Sequence, residues 1–145
     1  MKKARQVEVE EGQHFNKQEF EKLFGHAKNS LMWYVTQTGK TIFELKTKMY
    51  DKGFPKEDVF LVHDDGTLEP RNFVEEGIQY LRDAYLVDDE EYAMRYARRR
   101  KAQRFGPSRV RMDLQFKGVD SEFIENALEE VFSDTEELKI FLEAL

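Results

Sequence analysis

The sequence predicts an all-α protein of tandem repeats, and three observations lead there. Apolar residues recur at three- and four-residue steps along most of the chain, which gathers them on single helix faces. The 145 residues are 36% charged and 40% hydrophobic with only 8 Gly and 3 Pro, a composition suited to a charged, helix-rich globular chain. Sliding the chain by 65 residues brings Leu45 onto Val110, Met49 onto Leu114, Lys52-Gly53-Phe54 onto Lys117-Gly118-Val119 and Val59 onto Ile124. Small helical units of this size cannot each bury a whole apolar face. Stacked neighbours are therefore expected to form an elongated, curved helical array.

The elements follow in order. Up to about Gly12, Val7 and Val9 alternate with Glu8 and Glu10, a pattern open to a short strand, although a frayed, charged arm is the preferred reading. From Lys17, residues Phe20, Leu23, Phe24, Ala27, Leu31, Tyr34 and Val35 predict a first helix, and Trp33, beside Tyr34 in that stripe, is expected in the core. A second helix begins near Thr41 with Ile42, Leu45 and Met49 inward. It stops at Lys52-Gly53, where glycine supplies a left-handed cap. Asp64-Asp65-Gly66-Thr67 and Glu69-Pro70 interrupt any helix between Val59 and Asn72 and predict an excursion. Helix resumes with Phe73, Val74, Gly77, Ile78 and Leu81.

Asp88 is the expected N-cap of the next helix, since its carboxylate can accept a free amide while Asp89, Glu90 and Glu91 complement the positive helix end. Tyr92, Ala93, Tyr96 and Ala97 point inward, and the helix should end near Phe105-Gly106. Pro107 starts another, because its missing N–H has no helical partner in a first turn anyway. Val110 and Leu114 face inward there, and Lys117-Gly118 is the stop. Asp120 or Ser121 caps a last helix through Ile124, Ala127, Leu128 and Val131.

The length suits about one domain of ordinary size. With no cysteine, disulfides, thiolate metal sites and Cys nucleophiles are all excluded. No apolar run approaches the roughly 20 residues that span a bilayer, so no membrane partner and a cytoplasmic address are expected. The net charge of −6 conceals a segregation: between Arg95 and Lys117 nine basic residues face one acid, Asp113, leaving −14 on the remainder. Such asymmetry bears on partners and association rates, not on fold.

The residues Glu44-Leu45, Lys52-Gly53-Phe54-Pro55, Leu86-Val87-Asp88-Asp89-Glu90-Glu91-Tyr92-Ala93, Tyr96, Arg100, Phe105-Gly106-Pro107-Ser108-Arg109-Val110, Leu114 and Lys117-Gly118-Val119 stand in an order that resembles the RecX family, regulators of the bacterial recombinase RecA. The resemblance covers roughly Ala27 to Leu128. It implies tandem three-helix repeats bound in the groove of a RecA filament on single-stranded DNA, limiting filament growth, ATP hydrolysis and strand exchange. On that frame, residues 1–26 are an arm with the start of the first helix. Residues 27–87 form a first repeat with an insertion near 60–69, residues 88–132 a second, and 133–145 a partial third of one helix. Three departures stand out: the short third repeat, the insertion, and Gln37-Thr38-Gly39-Lys40-Thr41 in place of the family's basic and serine residues.

Other constellations carry little. Gly39-Lys40-Thr41 looks like the end of a phosphate-binding loop, but position 34, where that loop needs glycine, is Tyr. His14, His26 and His63 lack the spacing of helical metal ligands, and Asp64, Asp65 and Glu69 lack that of a calcium loop. The sequence thus predicts no catalytic residue, no metal and no cofactor. Partner and nucleic-acid contacts are expected from Arg95, Arg98, Arg99, Lys101, Arg104, Arg109, Arg111 and Lys117, with Arg95, Arg98, Arg99 and Lys101 on one outer helix face. Arg100 falls on the side of Tyr96 and Ala93, so it is expected to be structural, paired with Asp88 or Asp89 or stacked on a tyrosine. Gly53, Gly106, Pro107 and Gly118 are structural as stops and starts. Tyr92 and Tyr96, four apart on the apolar face, belong to the core before any base-stacking role.

The expected function is a non-enzymatic, monomeric regulator of the RecA–single-strand filament that binds free single strands weakly or through the recombinase. Two rivals stay open. Gly106-Pro107-Ser108-Arg109-Val110-Arg111 could begin the recognition helix of a duplex-reading helix-turn-helix, or the cations could pair only with acidic protein surface.

Overall fold

A computed structural model describes residues 6–133 and 143–144. Two compact units divide them. One takes the described residues up to Gly39 with Leu45–Val87; the other takes Lys40–Glu44 with the described residues from Asp88 onward. The expected partial third repeat, apart from Ser133, Glu143 and Ala144, lies outside the described residues.

The first unit contains β1 (His14–Phe15), α1 (Lys17–Thr38), most of α2 (Ile42–Lys52), β2 (Val59–Val62), β3 (Leu68–Arg71) and α3 (Phe73–Asp83). Asn16 and Glu19 close the start of α1 reciprocally: Asn16 Oδ1 accepts from the Glu19 amide at 2.8 Å and Glu19 Oε1 from the Asn16 amide at 3.1 Å. Phe20, Ala27 and Leu31 of α1 meet Phe73, Val74 and Ile78 of α3 in the core, where the Phe20 and Phe73 rings stack at 4.8 Å. Gly77 allows the close approach of these helices, since a Cβ there would lie 2.5 Å from Leu31 Cδ1.

Two expectations need correction here. The excursion at 60–69 is a β-hairpin: β2 pairs antiparallel with β3, Val59 opposite Arg71 and Val62 opposite Leu68, and parallel with β1. Asp65 accepts from the Thr67 amide and hydroxyl at 2.9 and 2.6 Å, which closes the turn and holds its carboxyl below the usual carboxylate range. The charged arm is not frayed, because its backbone has partners. The amides of Val7 and Gly12 donate to the carbonyls of Lys52 and Asp58, both at 2.8 Å, and the Gln13 carbonyl accepts from Phe60 at 2.9 Å.

The second unit is α4 (Asp89–Ala102), α5 (Pro107–Phe116) and α6 (Ser121–Phe132), with the first residues of α2. Ala93, Tyr96, Ala97, Val110, Leu114, Val119, Ile124, Ala127, Leu128, Val131 and Phe132 form its core. Helices α2 to α5 all end in one hydrogen-bonding pattern. The residue after the stop donates back to the carbonyl five positions earlier: Phe54 to Met49, Leu86 to Leu81, Phe105 to Arg100 and Val119 to Leu114, at 2.9–3.1 Å. The position that must turn left-handed is Gly53 or Gly118 in two of them. In the other two it is Tyr85, at φ 56°, and Arg104, at φ 66°. Helix α4 therefore stops at Ala102, slightly short of Phe105.

Trp33 is the third correction. It is 60% exposed, its ring edge-on to Tyr34 at 5.3 Å. At about 100° per residue it lies roughly 240° round from Ala27, away from the Phe20, Ala27 and Leu31 stripe; adjacency to Tyr34 in sequence is not adjacency in angle.

Candidate nucleic-acid and protein interface

The second unit carries every predicted contact residue, and their surroundings separate them. Asp88 begins α4, accepting from the Glu91 amide at 3.1 Å. Asp89 accepts from the Ile42 amide at 3.0 Å and thus ties α4 to the start of α2. At the far end, Arg99, Arg100 and Lys101 lie in the last turn, where positive charge is favoured by the carbonyl end of the helix.

Arg95, Arg98, Arg99, Arg104 and Arg109 are exposed. Arg95 Nε is 3.9 Å from Glu91, too loose and too exposed to hold it. The Arg99 guanidinium lies 5.4 Å from the Tyr96 ring centre, and that of Arg109 covers Phe105 at 3.8 Å.

Three other cations are drawn into the unit itself. Lys101 does not share the outer face expected of it: half-buried, it donates to the Val131 carbonyl at 2.8 Å and lies 5.7 Å from the Phe132 ring. On the helical wheel Lys101 falls about 40° from buried Ala97, near enough to be pulled against α6. Arg111 pairs with Glu125, so α5 does not present Arg109 and Arg111 together as a duplex-reading helix would. Lys117 Nζ lies 3.8 Å from Glu44 and 5.7 Å from the Tyr96 ring. Its carbonyl accepts from the hydroxyl of fully buried Thr41 at 2.7 Å.

Arg100 is half-buried between the Tyr96 and Phe105 rings, at 5.1 and 5.0 Å, and its Nη1 donates to Gln103 at 2.7 Å. The stacking alternative describes it. The carboxylate alternative does not, because Asp88 and Asp89 open α4 while Arg100 lies in its last turn, about 16 Å away along the helix axis. Tyr96 is buried, donates its hydroxyl to Asp113 at 2.8 Å and stacks on Tyr92 at 6.1 Å. Burial, partly offset by Lys117, holds the Tyr92 phenol above the usual tyrosine range. Pro107 is the first residue of α5, preceded by Gly106 in an extended conformation. Gly118, at φ 78°, lies so near Phe43 that an added Cβ would sit 2.3 Å from the Phe43 Cβ and 2.4 Å from its ring.

Sequence reasoning missed the exposed apolar side chains of this unit: Met112 at 66%, Phe116 at 90% and Phe43 at 54% exposure. A wheel drawn on α5 finds two of them, because Met112 and Phe116 fall about 200° and 240° from Val110, opposite the core. Among the described residues no group of His, Asp and Glu could hold a metal ion, and no helix is long and apolar enough to cross a membrane.

A family model of the second three-helix domain of RecX matches residues 88–128, the body of this unit. The regulatory protein RecX of Salmonella typhi is 33% identical over 61 residues, covering 42% of this chain and 37% of that protein. RecX of Clostridium perfringens is 28% identical over 118 residues, covering 81% and 48%. The RecX crystal structure from Lactobacillus salivarius matches with a TM-score of 0.58 at 24% identity, covering 72% of this chain and 59% of that one. A second RecX crystal structure gives 0.57 at 22%, covering 84% and 56%; these two likenesses concern the fold. The chain spans between 37% and 59% of the length of these proteins. With the repeated Lys-Gly stops, the capped α4 and the three-helix unit in place, the chain is similar to the RecX regulatory proteins, and its residues 88–128 to their second three-helix domain.

Proposed function

We propose that this chain binds the filament of the recombinase RecA on single-stranded DNA and limits its growth, ATP hydrolysis and strand exchange, without turning over any substrate. The observation that carries the reading is the exposure of five arginines of one unit, Arg95, Arg98, Arg99, Arg104 and Arg109, on a chain of net charge −6. A polyanion is attracted there while the acidic remainder opposes tight binding of free DNA. The favoured target is therefore a complex offering phosphate and protein surface together. Similarity to the RecX regulatory proteins supports the choice of RecA.

DNA-dependent ATP hydrolysis by the cognate RecA tests it: excess protein should inhibit, and an undiminished rate rejects the reading. Five phosphate contacts imply a log–log salt slope of about −3.5 on single strands. Replacing Arg98 and Arg99 together by Ala should flatten that slope by about 1.4 and weaken inhibition. Unfolding free energy should move by less than about 0.5 kcal/mol, since both side chains are exposed.

A further inference from the structure

Helix α5 exposes Ser108, Arg109, Met112, Gln115 and Phe116 while burying Val110 and Leu114 fully. Arg109, Met112 and Phe116, spaced by three and four residues, share one face about 10 Å long. One exposed hydrophobe on a protein surface is ordinary. Here two lie in line with a cation, and Phe116, at 90% exposure, presents almost its whole ring to water. The only carboxylate of α5, Asp113, accepts the Tyr96 hydroxyl and is half-buried, so the face offers positive charge and apolar surface. At its upper end Arg109 lies over Phe105 and is followed back along the chain by exposed Arg104.

We infer that this face of α5 is a base-contacting platform for single-stranded nucleic acid, with Phe116 stacking an unpaired base, Met112 filling beside it, and Arg109 and Arg104 holding the backbone phosphates. Stacking on an aromatic ring is open to any base, because each has a π-face, whereas paired bases inside a duplex offer none to a ring approaching from outside. Charge complementarity decides the occupant: an anionic strand meets the two arginines and an unstacked base meets the ring. The inference rests on the proposed reading only in taking a filament that carries single-stranded DNA as the partner.

A fluorescein-labelled oligothymidylate of roughly 16 nucleotides is the probe, titrated at low salt. Phe116→Ala should weaken binding about tenfold and leave the salt slope unchanged, because no phosphate contact is lost. Phe116→Leu, which keeps apolar bulk without the ring, should weaken it comparably. In a Trp33→Phe background, Phe116→Trp should be quenched by the oligonucleotide. Thermal unfolding of each variant should match the parent, as the side chain is outside the core. Wild-type affinity in Phe116→Leu or Phe116→Ala, or no oligonucleotide binding by the unaltered chain, overturns the inference. So does a Phe116→Ala chain that keeps oligonucleotide affinity and loses RecA binding, which assigns the face to protein. Inhibition of RecA measured in parallel separates the two readings: ring-dependent oligonucleotide binding without inhibition removes the regulator reading and leaves this one standing.

Discussion

Helices α2 and α5 end alike, at Lys52-Gly53 and Lys117-Gly118, and in each the residue after the glycine, Phe54 or Val119, turns into a core. Beyond that point they part. Ile124 continues onto a helix, α6, whereas its counterpart Val59 lies on strand β2; yet both are buried, at 1% and 0% exposure. What the repeat preserves is the inward position of one apolar side chain. The secondary structure delivering it follows from the local chain: Pro55 after Phe54 and the Asp65-Gly66 turn favour extended backbone and a hairpin, while Asp120-Ser121 opens directly into helix.

The stops offer the sharpest way to break this likeness. Gly53→Ala should cost about 3 kcal/mol in chemical denaturation, since φ is 114° and a Cβ would lie 1.9 Å from the Val7 carbonyl oxygen, a backbone obstacle. Gly118→Ala should cost less, about 2 kcal/mol, because its obstacle is the half-exposed Phe43 side chain. Equal costs would show that the arm contributes nothing at Gly53.

Asp88→Ala should remove about 1 kcal/mol with the α4 cap, while Asp120→Ala should do less, because the Asp120 side chain makes no capping bond although it occupies the same place on α6. The other two helix ends run the opposite way. Tyr85→Gly and Arg104→Gly should each raise stability by up to about 1 kcal/mol by relieving a left-handed side-chain residue. Arg104→Gly should at the same time weaken single-strand binding, a gain in stability coupled to a loss of affinity.

Much of this was legible in the sequence. The two Lys-Gly stops and the Asp88 cap, the buried Leu45, Met49, Val110 and Leu114, and the inward Tyr96 all follow from periodicity and end chemistry, which act locally. Trp33 adjoins Tyr34 in sequence but not in angle, and Lys101 sits at the edge of the outer face, about 40° from Ala97, where the Val131 carbonyl of α6 draws it in. The hairpin had its signal, Asp65-Gly66 beside the apolar run Val59 to Val62, but a parallel partner from His14-Phe15 is non-local and leaves no mark in the run itself. The same holds for the candidate site. Positive charge could be counted along the chain, but whether a given cation is exposed depends on Glu44, Glu125 and the Val131 carbonyl, which lie 14 to 73 residues away or at another helix's end.

Thr41 and Ile42 find their partners, Lys117 and Asp89, 76 and 47 residues further along the chain. A chain synthesised from its N-terminus must therefore release those residues long before anything exists for them to bind, and the second unit cannot close until α5 has emerged. Closing so long a loop carries an entropic cost that grows only slowly with its length, but it must be met before the contacts repay it. Residues 88–128, cut out as a fragment, would leave the Lys117 carbonyl and the Asp89 carboxylate without the hydroxyl and amide that satisfy them. The start of α2 thus waits for partners made later, and the order of translation is written into which residues α4 and the end of α5 need.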